Sequence, residues 1–503
     1  MLRQKLVDKV LSAVDTERLV ETAMALVEVP SPTCEARDAA DRLAEILQSD
    51  GFAVERPEAD WPQAPAVVTR LESGWPGRTL QFNGHLDTVH LPFVPPRREN
   101  GNLYGSGISD MKGGVAAALE AIRALRETAV METGSILFTA HELHEGPWGD
   151  KRQVKALIRD GFVGDAVLLP EYCSSPLPIA GRGMAIFQIT IRRDGNPVHE
   201  VLRPIDQPLV VRAGAELVAQ LFDLHDQVST NKAPEVGSDS VFVGQMQSGE
   251  IYNQSPSECF IQGTRRWITP GEADSVEKQF RELVAVQSER SGTRIELNYS
   301  VQGDAFRILP GHPAVKALQT AHESVTGSRL PLGPKPFLDD GNLFCSFGGI
   351  PAITHGAHAT GAHTVNECCP VDELVRIAQI YALTALAYCT NEIEVAEERT
   401  RDVLVLLPIG RLDSGNAHSF ESIVMEHITS GELHLIVDFS HLDFISSAGL
   451  RVTLLAAKAL NANRGQIVLC AMKRHIKEVF LISGFDRFIA INESREEALD
   501  VFA

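Results

Sequence analysis

Five short stretches of this 503-residue chain hold the residue types that do chemistry. TAHELHEGPWG, starting at Thr139, crowds two histidines and two glutamates into His141, Glu142, His144 and Glu145. FNGHLDTV sets His85 and Asp87 two apart at the end of an apolar run. An acid there can accept the imidazole's second N–H, fix its tautomer and strengthen it as a ligand. YGSGISDMKGG surrounds Asp110 with glycines. A dinucleotide loop is excluded, because Asp110 stands where GxGxxG needs its third glycine. A carboxylate in such a turn at a helix start suits a bridge between two cations instead. Glu171 follows in LLPEY and His363 in GAHATGAHTVNE.

These residues need a scaffold, and the surrounding pattern supplies one. Strand-like runs at 78–85, 134–141 and 165–171 alternate with helical patterns at 111–127 and 372–389, which predicts an α/β layered sheet. Between 183 and 300 the pattern changes: MAIFQITIRRDG and ECFIQGTRRWI alternate like half-exposed strands, and PLVVRAGAELVAQLFDL reads as a helix. We expect a smaller α+β unit inserted there. After Cys389 a complete βα unit follows, with helices expected at 415–430, 447–462 and 473–483 and strands at 433–440, 465–472 and 488–491. The expected division is 1–182 with 301–390, an insert at 183–300, and a tail at 391–503.

Composition narrows the classes. A net charge of −20 without a basic stripe excludes a nucleic-acid partner. The eight cysteines form no CxxC, which suits free thiols in a reducing cytoplasm. The N-terminus mixes charge into its apolar positions and is no signal peptide, and no apolar run reaches the ~18 residues of a membrane span. A cytoplasmic protein without a membrane partner is expected.

Taken in order, His85-x-Asp87, Asp110, the glutamate-rich loop at 142–145, Glu171 and His363-Thr-Val-Asn-Glu367 resemble the co-catalytic zinc metallohydrolases. That family includes acetylornithine deacetylase, succinyl-diaminopimelate desuccinylase, aminoacylases and glutamate carboxypeptidases. The resemblance covers roughly residues 15–390. It implies a zinc-exopeptidase-like sheet with an inserted lid and dimerisation domain. It further implies two zinc ions, one on His85 and Glu171 and one on His363 and a loop glutamate, with Asp110 bridging them. Asp87 would orient His85, and the peptide after Asp110 would be cis. His199, in DGNPVHE, would steady the oxyanion, often from the partner subunit of a homodimer. Asn253 and Arg265, in NQSP and GTRRW, would contact substrate, Arg265 as a clamp for a carboxylate.

The family shows two adjacent glutamates in the loop, a general base and then a ligand, whereas this chain has none adjacent. In one reading the loop is longer, Glu142 is the base and Glu145 the ligand. In the other, His144 and Glu145 share the two jobs. The first is favoured here. The zincin motif fails, because the spacing is HExH rather than HExxH. His90, His141, His312, His355 and His358 fall outside the ligand set and read as structural or substrate-side residues.

The tail carries GRLDSGNA and VDFSHLDFISSAGLRVTLLAAKAL, which resemble the STAS domain of anti-sigma-factor antagonists. Ser446 and Ser447 stand at a helix N-terminus, where free N–H groups accommodate a phosphate, though a serine is equally an N-cap. The family pattern Asp-Ser-Ser-Gly is altered: Ala448 replaces the usual acceptor and Ser446 the aspartate. Ser447, then Ser446, are the phosphorylation candidates, and an anti-sigma factor or kinase the expected partner. Together these readings describe a di-metal hydrolase of small amides or short peptides with a regulatory tail. The alternative is a signalling protein whose hydrolase body only senses or dimerises.

Overall fold

The computed structural model describes residues 4–502 apart from 235, 391–392 and 414–415. A six-stranded sheet forms the centre of the larger body, in the order Val54–Glu55, Val67–Glu72, Ser135–His141, Thr79–His85, Ala166–Leu169 and Ala352–Thr354. Its last four strands are mutually parallel, and the first two join antiparallel. Thr79–His85 and Ser135–His141 are buried along almost their whole length, as parallel strands covered on both faces must be. Because these two strands run in register, His85 lies directly beside His141. The functional loops therefore leave the sheet side by side at its carboxyl end, where ligands bind in open α/β sheets.

The helix Gly113–Thr128 packs across this sheet and is buried along most of its length. Its first residues explain the doubled glycine: a Cβ on Gly114 would sit 1.8 Å from the carbonyl oxygen of Pro170. The helix thus approaches the segment leading to Glu171 as closely as backbone allows. Asp110 lies in the preceding turn, Ile108–Lys112, and the Asp110–Met111 peptide is cis.

The insert builds its own four-stranded antiparallel sheet, in the order Ser240–Ser248, Glu258–Trp267, Gly183–Arg192 and Arg294–Gly303. The helices Val210–Val228 and Ala273–Ser291 cover one face and share a core with it. The strand Ser240–Ser248, the helix Ala273–Ser291 and the strand Arg294–Gly303 were not anticipated from sequence. The polar, glycine-interrupted second half of the first and the exposed, charged faces of the other two blur both periodicities.

The tail has a separate core. Its sheet runs Glu394–Thr400, Val403–Leu412, His434–Asp438, Gln466–Cys470 and Ala490–Asn492. The helices Ala417–Thr429, Ser447–Ala462 and Arg474–Ile482 fall close to the expected spans. Of GRLDSGNA, Ser414 and Gly415 lie outside the described residues. Trp75 of the larger body stacks on His418 of the tail, with ring centroids 5.0 Å apart and planes 7° apart.

Candidate active site

The five residues expected to hold metal converge. His85 Nε2 is 3.1 Å from Asp110 Oδ1 and 3.8 Å from Glu171 Oε1. His363 Nε2 is 3.2 Å from both Asp110 Oδ2 and Glu145 Oε1. Asp110 therefore turns one oxygen to each histidine, the geometry of a bridge. Ligand atoms of His85, Asp110 and Glu145 lie within 4.8 Å of one another, as do those of His85, His144 and Glu171. His363 stands in the left-handed region, at φ 61°, which swings its ring back over the cluster.

Electrostatics make the same point. Burial, reinforced by the charge of Asp110, pushes the Glu171 carboxyl well above its ordinary value. Burial works to raise Asp110 too, but hydrogen bonds from His363 and His85 hold it well below the usual carboxylate range. His363 is pushed up to about 10 by its bonds to Asp110 and then Glu145. Three carboxylates and two imidazoles this close cannot all take their ligand forms in a buried site without positive charge. The donor set fits two divalent cations.

Asp87 acts differently from the expectation. The Nδ1 of His85 lies 2.9 Å from the backbone carbonyl of Asp87, and the Asp87 carboxylate is farther away, at 3.7 Å. Asp87 Oδ2 instead accepts from the Thr33 hydroxyl (3.0 Å) and from the backbone N–H groups of His144 (3.0 Å) and Glu145 (2.9 Å). The carboxylate ties the 144–145 loop to the strand end that carries His85.

That loop decides between the two readings of HELHEG, and against the favoured one. Leu143 stands at φ 66°, reversing the chain direction between Glu142 and His144. Glu142 turns away from the cluster: its carboxylate accepts from Ala36 N (2.7 Å) and from Trp61 Nε1, and burial raises it to about 7. With both carboxylate oxygens held there and Glu142 absent from the cavity lining, the geometry does not favour Glu142 as the base, and that assignment is corrected. His144 faces the cavity and stacks on His85, with centroids 4.0 Å and planes 8° apart. Burial lowers its pKa from the ordinary 6.5, against the opposing charge of Asp340.

Asp340 is the main residue that sequence reasoning missed. Its Oδ2 lies 3.0 Å from both His141 Nε2 and His144 Nδ1, the latter at contact distance but off the line of a hydrogen bond. Lys151 Nζ is 3.4 Å from its other oxygen. The doublet in FLDDGN, an acid pair before a helix start, was the available signal.

A cavity of about 410 Å3 opens above the cluster, lined by Asp110, His144, Glu145, Glu171 and His363. Met184, Ile186, Gln188, Gln262, Asn298 and Ser300, from one face of the insert's sheet, form the wall opposite. Arg265 is on the other face, buried and paired with Asp239 at 3.0 Å, so its assignment to substrate is corrected. Strand alternation explains this, because Gln262 and Arg266 share the cavity-side face and Arg265 points to the helices. Arg266 pairs in register with Met184. Among the described residues it has no carboxylate partner, and burial, then the charge of Arg182, lowers its pKa. His199 is exposed and bonds Asn253 at 3.1 Å, and neither lines the cavity of their own chain.

In the tail, Ser447 is the first, exposed residue of its helix. Ser446 occupies the N-cap position without capping: its hydroxyl is buried and has no partner among the described residues.

Comparison with known proteins supports both halves. Residues 81–387 match the model of peptidase family M20/M25/M40, and residues 394–498 match the STAS domain. Succinyl-diaminopimelate desuccinylase of Methylobacterium radiotolerans is 28% identical over 391 residues, covering 73% of this chain and 95% of that protein. A Bordetella bronchiseptica protein described as anti-sigma factor antagonist BtrV is 44% identical over 93 residues, 18% of this chain and 80% of that one. The crystal structure of aminopeptidase PepT from Bacillus cereus superposes with a TM-score of 0.62 at 22% identity, covering 75% of this chain and 99% of PepT.

Proposed function

The chain belongs to peptidase family M20/M25/M40 and is a metal-dependent hydrolase of small amides or peptides; on that premise we propose how its own residues divide the work. His85, Glu171 and Asp110 would hold one divalent cation, and Asp110, Glu145 and His363 the other, with zinc the first choice and cobalt or manganese the alternatives. Bound there, the pair would polarise a scissile carbonyl and acidify a water. The observation that carries the reading is the split of the Asp110 carboxylate between two histidines.

His144 takes the place of the base glutamate. Its ring is locked between His85 and Asp340, and burial keeps it neutral, the form that accepts a proton. Asp340 steadies the imidazolium that results. The amide-rich insert wall receives the substrate, and Arg266, rather than Arg265, supplies a guanidinium for its carboxylate. An N-acyl amino acid or a short peptide meets these requirements. His199 and Asn253, outside their own cavity, suit a homodimer in which each insert completes the partner's site. The division at 182/183, 300/301 and 390/391 belongs to this proposal, as does a cytoplasmic setting; no helix among the described residues is long and apolar enough to cross a membrane. The STAS tail docks an anti-sigma factor or kinase, with Ser447 as the exposed phosphate acceptor.

The test is a panel of N-acyl amino acids and dipeptides offered to the zinc-loaded chain. Chelator-sensitive release of free amine is expected; no turnover of any member would leave the signalling reading, with the body as a sensor.

A further inference from the structure

Beyond the metal cluster, a second cavity of about 590 Å3 opens on the hydrolase body and shares no lining residue with the first. Its walls come from the loop after Glu171, the helix Pro313–Thr326 and the loop that follows it, the turn at 355–358, and the helix Val371–Cys389. A volume of this size is typical of small-molecule sites.

The lining is cationic in a chain that is strongly acidic. Arg329, Arg376, His322, His355 and His358 all face it, against a single carboxylate, Glu373. That carboxylate is already engaged by Arg376 and by the backbone N–H of His358 (3.2 Å). Arg329 spends one N–H on Gln319 (3.0 Å). Each guanidinium offers five donors in a fixed fork, so both keep several free for a ligand. His355 lies at the floor, 2% exposed, with its Nδ1 buried and without a partner. Burial, then the charge of His322, lowers it to about 3, so the floor is a neutral polar ring beneath charged walls.

The floor also leans on the catalytic side. A Cβ on Gly356 would stand 1.9 Å from the carbonyl oxygen of Glu171, and the backbone N–H of Gly356 bonds Cys173 O at 3.0 Å. One layer of backbone separates this cavity from a metal-ligating residue.

We infer that this cavity is a second binding site, for a small free molecule bearing a phosphate or carboxylate, gripped by Arg329 and Arg376. The inference does not rest on the hydrolase mechanism. Equilibrium dialysis of the zinc-loaded full chain against labelled sulfate, and separately against labelled succinate, tests it with one tetrahedral and one planar oxyanion. With at least one probe, the wild type should show an equivalent that survives His85→Ala. The double variant Arg329→Ala/Arg376→Ala should weaken that equivalent by about tenfold or more, and Arg329→Lys, which keeps the charge without the fork, should weaken it by less than the double variant. Thermal melts check the fold of the double variant; if it is unfolded, the charge reversal Arg329→Glu, at an exposed position, replaces it with the same expectation. The inference is overturned if neither probe leaves an equivalent in His85→Ala, or if removing the arginine charge leaves binding unchanged.

Discussion

The hydrolase body and the tail hold their chemistry in opposite ways. In the body, three carboxylates and two histidines are pressed into a mostly buried cluster that can take its ligand protonation states only with added positive charge. In the tail, the two serines at the helix start carry no charge, and one of them, Ser447, is exposed. Buried ionisable groups must be matched to something on site, so the body's chemistry is specified by the fold alone. An exposed hydroxyl at a helix N-terminus acquires meaning only when a partner arrives. The difference predicts that body variants act on metal and turnover, and tail variants on association.

The largest expected effect comes from Asp110→Ala, which removes ligands from both metal positions at once. Hydrolysis should fall by at least about 10³-fold, with the tail still folded by hydrogen exchange; intact activity would break the bridge assignment. Next, His144→Ala should cost about 10²–10⁴ in kcat while metal content stays unchanged. Glu142→Gln, one turn of chain away, should leave kcat within about threefold and lower stability by about 1–3 kcal/mol, because its bonds to Ala36 and Trp61 are structural. The reverse ranking of these two variants would restore the longer-loop reading.

That ranking also shows where the sequence was legible. The order and residue types of His85, Asp110, Glu145, Glu171 and His363 pointed to one cluster, and the structure brings the five together. His85 ends a strand whose period can be read, whereas His363 lies in an irregular stretch and was legible only by its place in the motif order. Glu142 misled because a single left-handed residue, Leu143, reverses the chain, and nothing in HELHEG marks a leucine for that conformation. Arg265 and Arg266 differ by one residue, and on a strand that flips the side chain to the other face. Asp340 was hidden for another reason: its partners His141, His144 and Lys151 are about two hundred residues earlier, and long-range pairing of this kind leaves no local pattern. The tail's long helices and most of its strands were readable, since it is a short alternation of well-patterned elements, but the short strand Leu442–Ile445, parallel to Val403–Leu412, was not.

Smaller effects sharpen the picture. Arg266→Ala should raise KM for carboxylate-bearing substrates by about 10–100-fold with kcat little changed, whereas Arg265→Ala should chiefly destabilise the insert by stranding Asp239. In the pH profile, His144 is held below 6.5, so its acid limb in kcat/KM should lie below that value. Asp340 is the charge that raises it, so Asp340→Asn should move the limb to still lower pH and reduce the maximal rate; a limb that does not move would remove Asp340 from the base. The mildest expectation is Ser447→Asp, which should weaken a partner's affinity by about tenfold and leave hydrolysis as it was. A pull-down titration reads the first and the amine-release assay the second.

The most direct measurement is metal content per chain by elemental analysis, after loading with zinc and desalting. Two per chain is the predicted value, falling to near zero in Asp110→Ala. One or none in the wild type would contradict the shared-carboxylate centre and move the search for function to the tail.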